Sequence, residues 1–368
     1  MNKEIKVLHI IPNLALGGAE RQLIEILSHN KEHEACLLLS DNEDQKYKNI
    51  NNNIHSLNMK RKIPDIRAFF RLNKIINIIN PQIIHCWMYH SSLIEVIIRK
   101  FIRNKNIPLI WGLRCSNMDV NYYSIQFNFV IKACRHFSGI PNLIINNSHQ
   151  GKVIHDKIGF NNKSIVIPNG IDTKKFSPNK KYKNNFRASY NLGKNVKVLL
   201  CVARFDAMKD HLTLIEAFQK IIKKYSNTYL ILAGLGTERF SNIKNVIALG
   251  AYKKIEEVYA SADIIVSSSA FGEGFSNAIG EGMSSELIAV STNVGDAKYI
   301  IKDSGLVVPP KSINELAGAV IKIIDLPNKD FIKMRKKARI RIVKNFSKEL
   351  MLKNYSKVYN KLLPNRGY

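Results

Sequence analysis

Short runs of Ile, Leu and Val recur along this chain, separated by longer stretches with apolar residues at helical spacing. Residues 5–11, 35–39, 82–87, 108–113 and 143–147 are such runs, and 19–29 and 66–79 are helical stretches between them. A run with no polar positions interleaved needs cover on both faces, as parallel strands joined by helical crossovers have. Around 179–195 the pattern stops: NKKYKNNFRASYNLGKN is polar, charged and without an apolar strand, which reads as a linker. It then restarts, with strands expected at 196–203, 229–234, 246–250, 263–268, 287–292 and 306–310. Helices are expected at 211–225, 255–260, 314–326 and 329–345, with a last basic helix at 347–363. The fold class is therefore α/β with two doubly wound domains, 1–178 and 196–346, on either side of the linker. In such sheets ligands bind beyond the carboxyl ends of the strands, so the functional residues belong in those loops.

Two domains also suit the length, since 368 residues exceed what one core usually serves. No apolar run approaches the ~20 residues of a spanning helix. The opening MNKEIKVLHIIP reads as a strand rather than a signal peptide. Cys36, Cys86, Cys115, Cys134 and Cys201 are scattered and odd in number, which points to reduced thiols in a cytoplasmic protein and to no zinc or disulfide framework. The formal charge is +27, and residues 59–110 hold ten Lys and Arg against Asp65 and Glu95. That stretch is either a functional basic face or a solvated one. Within it Phe69, Phe70, Leu72 and Ile76 alternate with Arg67, Arg71 and Lys74, the pattern of an interfacial amphipathic helix or of a helix packing on its sheet. Nucleic acid is not expected as a partner, because no recognised motif and no aromatic-interleaved basic run occurs.

Three loops carry the chemistry. After the first strand, Gly17 and Gly18 precede a helix whose free N–H groups make an anion site, although the spacing is not that of a dinucleotide fingerprint. After the first strand of the second domain stand Arg204 and Lys209, a fork and a point charge suited to a diphosphate. The third loop is SSSAFGEGFSNAIGEG (267–282), which sets Glu273 and Glu281 eight positions apart on a glycine turn and the helix after it. Ser276 or Asn277 would cap that helix. Acids beside a row of backbone amides suit a ligand rich in hydroxyls.

These residues resemble the retaining glycosyltransferases of family 4. Glu273 and Glu281 match that family's E-x7-E, Gly17-Gly18 its first turn, and Arg204 and Lys209 its cationic pair; the segment from Pro168 to Asp172 matches its P-N-G-I-D. The resemblance implies the GT-B fold, with two Rossmann-like domains facing a cleft and the closing segment 347–368 packing back on the first. It also implies roles. Arg204 and Lys209 would bind the donor diphosphate, Glu281 the ribose and Glu273 the transferred sugar. Gly274 and the amides of Phe275, Ser276 and Asn277 would hold sugar or phosphate oxygens, and Gly234 and Tyr252 lie where members contact the base.

The chain departs from the family at two places. Ser285, Glu286, Leu287 and Ile288 stand where members have small residues with Gly and Pro, so that turn is expected to be rebuilt. Cys115 occupies the place of a histidine near the reacting centre. No base is identifiable beside it, so it reads as a packing residue. Arg114 and Asn117 are the acceptor-side candidates, and His90, after the preceding strand, is a candidate catalytic residue. With no D-x-D present, no metal or cofactor is expected. The reading is a metal-independent hexosyltransferase that uses a nucleotide sugar, most simply a UDP-sugar. Its acceptor would be a surface-polysaccharide or lipid-linked glycan, and its place cytoplasmic, with peripheral attachment to the anionic inner membrane. The alternatives are a non-hydrolysing UDP-sugar 2-epimerase and a basic nucleic-acid-binding protein.

Overall fold

The computed structural model describes residues 5–14, 17–39, 54–60, 65–99, 106–116, 124–161, 163–193 and 195–363. The chain divides into two compact units, Met1–Pro168 with Met351–Tyr368, and Asn169–Leu350. Each is a parallel sheet covered by helices, as the uninterrupted apolar runs require.

In the first unit the strands are β1 (Val7–Ile11), β2 (His33–Leu39), β3 (Ile54–Met59), β4 (Ile83–Trp87), β5 (Leu109–Leu113), β6 (Leu143–Asn146) and β7 (Ser164–Val166), ordered β3-β2-β1-β4-β5-β6-β7. Helices α2 (Arg67–Ile79), α3 (Met88–Arg99) and α4 (Ile125–Phe137) pack in one core cluster; α1 (Gly18–His29) and residues of α13 (Lys348–Leu362) pack in another, and α5 is His149–Lys157. Strands β3 and β7 are not visible as apolar runs because they are sheet edges. Of β3 only Leu57 is buried, so nothing selects a continuous hydrophobic sequence there. The apolar stripe of α2 also resolves: Ala68, Leu72, Ile76 and Ile79 face the core, so Leu72 and Ile76 do not form an interfacial face, while Ile66, Phe70 and Ile78 are exposed. Arg61, Lys62, Lys100, Arg103 and Lys105 of the basic stretch lie outside the described residues.

The second unit has strands β8 (Lys197–Val202), β9 (Thr228–Ala233), β10 (Val246–Gly250), β11 (Ile264–Ser267), β12 (Ile288–Thr292) and β13 (Gly305–Val308), ordered β10-β9-β8-β11-β12-β13. Its helices are α6 (Lys180–Ser189), α7 (His211–Lys224), α8 (Ile255–Ser261), α9 (Asn277–Ser284), α10 (Ala297–Ile301), α11 (Ile313–Ile324) and α12 (Asn328–Asn345). The polar stretch 179–195 is not a linker. Most of it is α6, capped by Asn179, with Phe186 in the core, and the division between units falls at Pro168/Asn169 instead. Composition misleads here because the helix buries a cation. Arg187 is 8% exposed and its Nη2 donates to Asp263 Oδ2 at 2.8 Å, while its Nε donates to the Ser261 carbonyl. Lys183 Nζ adds a bond to Asp263 Oδ1 at 3.2 Å. Burial would raise the Asp263 carboxyl, but Lys183 and Arg187 hold it below the usual carboxylate range.

Unit one hides polar groups of another kind under α13. Trp87 Nε1 donates to His9 Nδ1 at 3.0 Å, so the His9 proton sits on Nε2 and is donated to His33 Nδ1, also at 3.0 Å. His85 Nδ1 bonds the Tyr359 hydroxyl at 2.9 Å, and Arg114 Nη2 donates to Tyr355 Oη at 2.5 Å. Burial, with the charges of neighbouring histidines and Arg114, holds His9 and His85 well below their usual range, and burial brings His33 down to about 4.

Two outcomes follow. Neutral buried histidines that titrate near 6.5 once unfolded mean that the unfolded chain binds more protons on acidification, so stability rises with pH across that window. Urea unfolding followed through Trp87 and Trp111, the only two tryptophans and both buried in this unit, should show a level midpoint above about pH 7 and a fall from about pH 6.5 towards 4. A flat midpoint across that window would mean that the ring cluster accepts charge. In the second unit Arg187→Ala leaves Asp263 buried with Lys183 alone and should cost on the order of 3 kcal/mol, read as a lowered calorimetric transition.

Candidate functional site

At the carboxyl end of β8 the chain runs through Arg204 and Asp206 into a 3-10 turn, Ala207–Lys209. Asp206 organises that turn: Oδ1 accepts from Met208 N at 2.9 Å and its carbonyl from Lys209 N at 2.9 Å. Its Oδ2 takes two bonds from Arg204, Nε at 3.1 Å and Nη2 at 3.0 Å, so one carboxylate sets both cations. Gly234 follows β9 at φ 151, and a Cβ there would overlap the Ala203 carbonyl and approach Arg204 N at 2.7 Å. Its glycine is thus required by backbone approach beside Arg204.

The loop after β11 meets this turn. Ser268 Oγ donates to the Lys209 carbonyl at 2.8 Å, and Ala270 N to the Met208 carbonyl at 2.8 Å. Lys209 Nζ and Glu273 Oε1 form a short ion pair, 19% and 12% exposed, and Ser269 Oγ donates to the same oxygen at 2.8 Å. Burial works to raise the Glu273 carboxyl, but the Lys209 charge and hydrogen bond, then Ser269, hold it below the usual range. Lys209, Glu273, Ser269 and Ser276 line a small depression with Cys201 and Ala203. Under the turn, Gly295 sits at φ 58, where a Cβ would overlap the carbonyls of Glu273 and Gly274, and Asp296 N donates to Gly274 O at 3.0 Å.

Helix α9 starts at the N-cap Ser276, whose side chain makes no capping bond. Asn277 Oδ1 accepts from Asn169 Nδ2 at 2.8 Å, and a Cβ at Gly280 would meet Ile171 at 2.8 Å, so the P-N-G-I-D segment braces this helix. Phe275 is buried against Phe346, 5.3 Å between ring centroids, leaving its backbone amide as the part suited to a ligand. One turn inside, Glu281 is buried and accepts from Tyr259 Oη at 2.8 Å. Tyr252, beyond β10, is half-buried with its ring 6.2 Å from Phe186. The turn after α9 is a regular helix C-cap. Leu287 N bonds Gly282 O at 2.9 Å and Glu286 N bonds Met283 O at 3.1 Å, the Schellman pattern, with Glu286 itself left-handed at φ 64 where a glycine is usual.

The first-unit candidates fare differently. The Glu20 carboxylate curls against Gly17 at the start of α1, so that helix end already faces an anion from its own chain, with Gly18 as first helical residue. His90 is exposed on the first turn of α3, its ring 5.8 Å from Phe127. Arg114, half-buried, lies 4.0 Å over the Trp87 ring and holds Tyr355. Asn117 lies outside the described residues. Cys115 Sγ is 3.3 Å from Tyr89 Oη, which is 2.5 Å from His155 Nε2. Burial raises this thiol to about 11, so it packs as a thiol.

Sequence reading missed Asp206, Ser269, Tyr259 and Gly295, which touch the named residues rather than matching a motif. Asp206 alone had a local signal, two positions from Arg204 and four from another acid. Gly295→Ala should destabilise the second unit by about 1–3 kcal/mol, since backbone must move. Gly318→Ala, on the exposed face of α11 with nothing within 4 Å, should stabilise it by roughly 0.5–1 kcal/mol. Thermal midpoints of the two variants check the contrast.

Known proteins share this fold. A profile described as Glycosyltransferase Family 4 matches residues 16–175, and one described as Glycosyl transferases group 1 matches residues 196–325. An uncharacterised glycosyltransferase of Methanocaldococcus jannaschii is 24% identical over 250 residues, 62% of this chain and 59% of that protein. This curated relative is thus matched over less than two thirds of its length. Crystal structures of Anabaena HepE, in complexes with UDP and with UDP-glucose, superpose with TM-scores of 0.84 and 0.83 at 17% identity, over 97% of this chain and 100% of theirs. Sucrose-phosphate synthase of Thermosynechococcus elongatus superposes with a TM-score of 0.79 at 17% identity, over 97% and 99%. The two profiles follow one another along the chain, over the sheets and loops that carry the glycines, cations and acids, and the chain belongs to the family 4, group 1 glycosyltransferases of GT-B fold.

Proposed function

We propose that this chain is a retaining, metal-independent glycosyltransferase that moves a hexose or N-acetylhexosamine from a UDP-sugar to a surface-polysaccharide or lipid-linked glycan. The observation that carries the reading is the half-buried Lys209–Glu273 pair with Ser269, set beside Arg204 at the carboxyl ends of β8 and β11. Arg204 is 57% exposed, so its guanidinium is accessible to an anion while Asp206 holds it. The UDP and UDP-glucose bound by HepE in the same fold support a nucleotide-sugar donor.

The chemistry assigned to these groups is electrostatic. As the bond from the anomeric carbon to the diphosphate breaks, its electron pair goes to the β-phosphate oxygen, and Lys209 and Arg204 stabilise that charge. The acceptor hydroxyl attacks from the same face and gives its proton to the departing phosphate oxygen. Configuration is kept with no covalent enzyme intermediate. Glu273, kept ionised by Lys209, accepts hydrogen bonds from the sugar's hydroxyls. Glu281, fixed by Tyr259, does so for the ribose. The cations take the part that a metal plays elsewhere, and no D-x-D motif is present to hold one. The acceptor side is assigned to the first unit, and the anionic cytoplasmic face of the inner membrane is the proposed place of work.

The test is turnover of a panel of UDP-sugars with and without acceptor. Arg204→Ala or Lys209→Ala should each lose on the order of 10²-fold in kcat. Glu281→Gln should chiefly raise KM, because a ribose contact is equal in ground and transition states, whereas Glu273→Gln should lower kcat too. EDTA should leave turnover intact. Conversion of a UDP-sugar to its epimer without release of UDP would replace this reading with the 2-epimerase one.

A further inference from the structure

A basic surface on the second unit lies outside the donor loops and outside residues 59–110. Helix α12, 18 residues long, turns Phe331, Ala338 and Ile342 into the core. Its cations fall into two sets. Arg335 Nε donates to the Glu286 carbonyl at 2.7 Å, and Arg341 Nε to the Ile300 carbonyl at 2.6 Å. Arg339 donates to the carbonyls of Phe176, Thr173 and Ser284, and Lys337 pairs with Asp303 at 2.5 Å. These four fasten the helix. Lys329, Lys333, Lys336 and Lys344 do not: all are exposed, and among the described residues none makes an ion pair or hydrogen bond. At about 100° per residue they share a third of the helix circumference with Ile332, Ile340 and Val343. Those three are 44%, 64% and 43% exposed. Asp330, the one acid on α12, lies off this stripe, and Glu286 borders its middle beside Lys336 and Ile340.

We propose that this stripe is where the chain lies on an anionic lipid bilayer. The proposal deepens the membrane partner proposed above and rests on that reading. Charge complementarity selects an anionic surface. The exposed aliphatics select a bilayer over a dissolved polyanion, which would gain nothing from desolvating Ile340. No aromatic stands on the stripe for a base to stack on. A helix with lysines and branched aliphatics on its outer face lies in the plane of the interface, apolar tips among the acyl chains and ammonium groups among the phosphates. Using lysine rather than arginine there fits, since each ammonium needs only proximity to phosphate and no fixed fork.

The experiment is co-sedimentation of the full chain with vesicles of equal parts phosphatidylglycerol and phosphatidylcholine, and of phosphatidylcholine alone, across a salt series. Wild type should bind the anionic vesicles and ignore the neutral ones. Replacing Lys329, Lys333, Lys336 and Lys344 together by Gln should weaken binding on the order of 100-fold at low salt. Ile340→Ser with Val343→Ser should abolish the part that survives at about 0.5 M salt, where surface charges are screened. All six positions are exposed, so unchanged near-UV circular dichroism keeps the comparison clean. Wild type that ignores anionic vesicles overturns the membrane reading itself. Wild type that binds while the lysine variant binds equally well keeps the membrane and overturns the assignment to α12. Binding to heparin or single-stranded DNA with none to vesicles would make the stripe a polyanion site and overturn the proposal.

Discussion

Parallel pairing is the constraint on which both units depend. A parallel strand cannot return to its neighbour by a hairpin, so each connection crosses the sheet, usually through a helix, and both faces become buried. Backbone polar groups are then satisfied by the ladder, and the loops left to carry chemistry are those at the carboxyl ends. In the second unit strands β8, β11 and β12 lead into the loops of Arg204, Glu273 and Gly295, and backbone bonds from Ala270 N to Met208 O and from Asp296 N to Gly274 O tie those loops together.

Charge in the interior follows one rule with two outcomes. A carboxylate removed from water must meet a cation or lose its charge. Glu273 meets Lys209, and Asp263 meets Arg187 and Lys183. The first pair sits in a depression at the loop edge and is the one to which we propose to give chemistry; the second lies under α6 and joins that helix to the start of β8 through Val198 N and Asp263 Oδ2 at 3.0 Å. The histidines under α13 take the other outcome and stay neutral. His9 can accept from Trp87 and donate to His33 only while uncharged, so this cluster depends on protonation state rather than on ion pairing.

Cation type divides in the same way. Buried or half-buried arginines, among them Arg187, Arg339 and Arg341, donate to several carbonyls at once, as a fixed fork does well. A net charge of +27 therefore includes cations that are part of the scaffold, and the lysines without partners are the ones that give the surface its field.

The central strands of both units and several of the helices between them were legible in the sequence, because a buried parallel strand must be apolar throughout and a helix against it must repeat its apolar positions. Edge strands β3 and β7 and helix α6 were not, since an edge strand buries little and a helix with a buried ion pair reads as polar. Of the site, the residues that recur in a motif were legible: Glu273, Glu281, Arg204 and Lys209. Their partners Asp206, Ser269, Tyr259 and Gly295 became visible only through contacts, two of them across separations of 22 residues from Tyr259 to Glu281 and from Glu273 to Gly295. Glu286 shows the limit from the other side: it stands left-handed at φ 64 where a glycine is usual, and the hydrogen bonds of the Schellman motif hold it there. The sequence by itself determined which segments are buried and which residue types reach the strand ends. Only the tertiary structure decided which charges neutralise one another, because burial and distance, not position along the chain, set the cost of a charge.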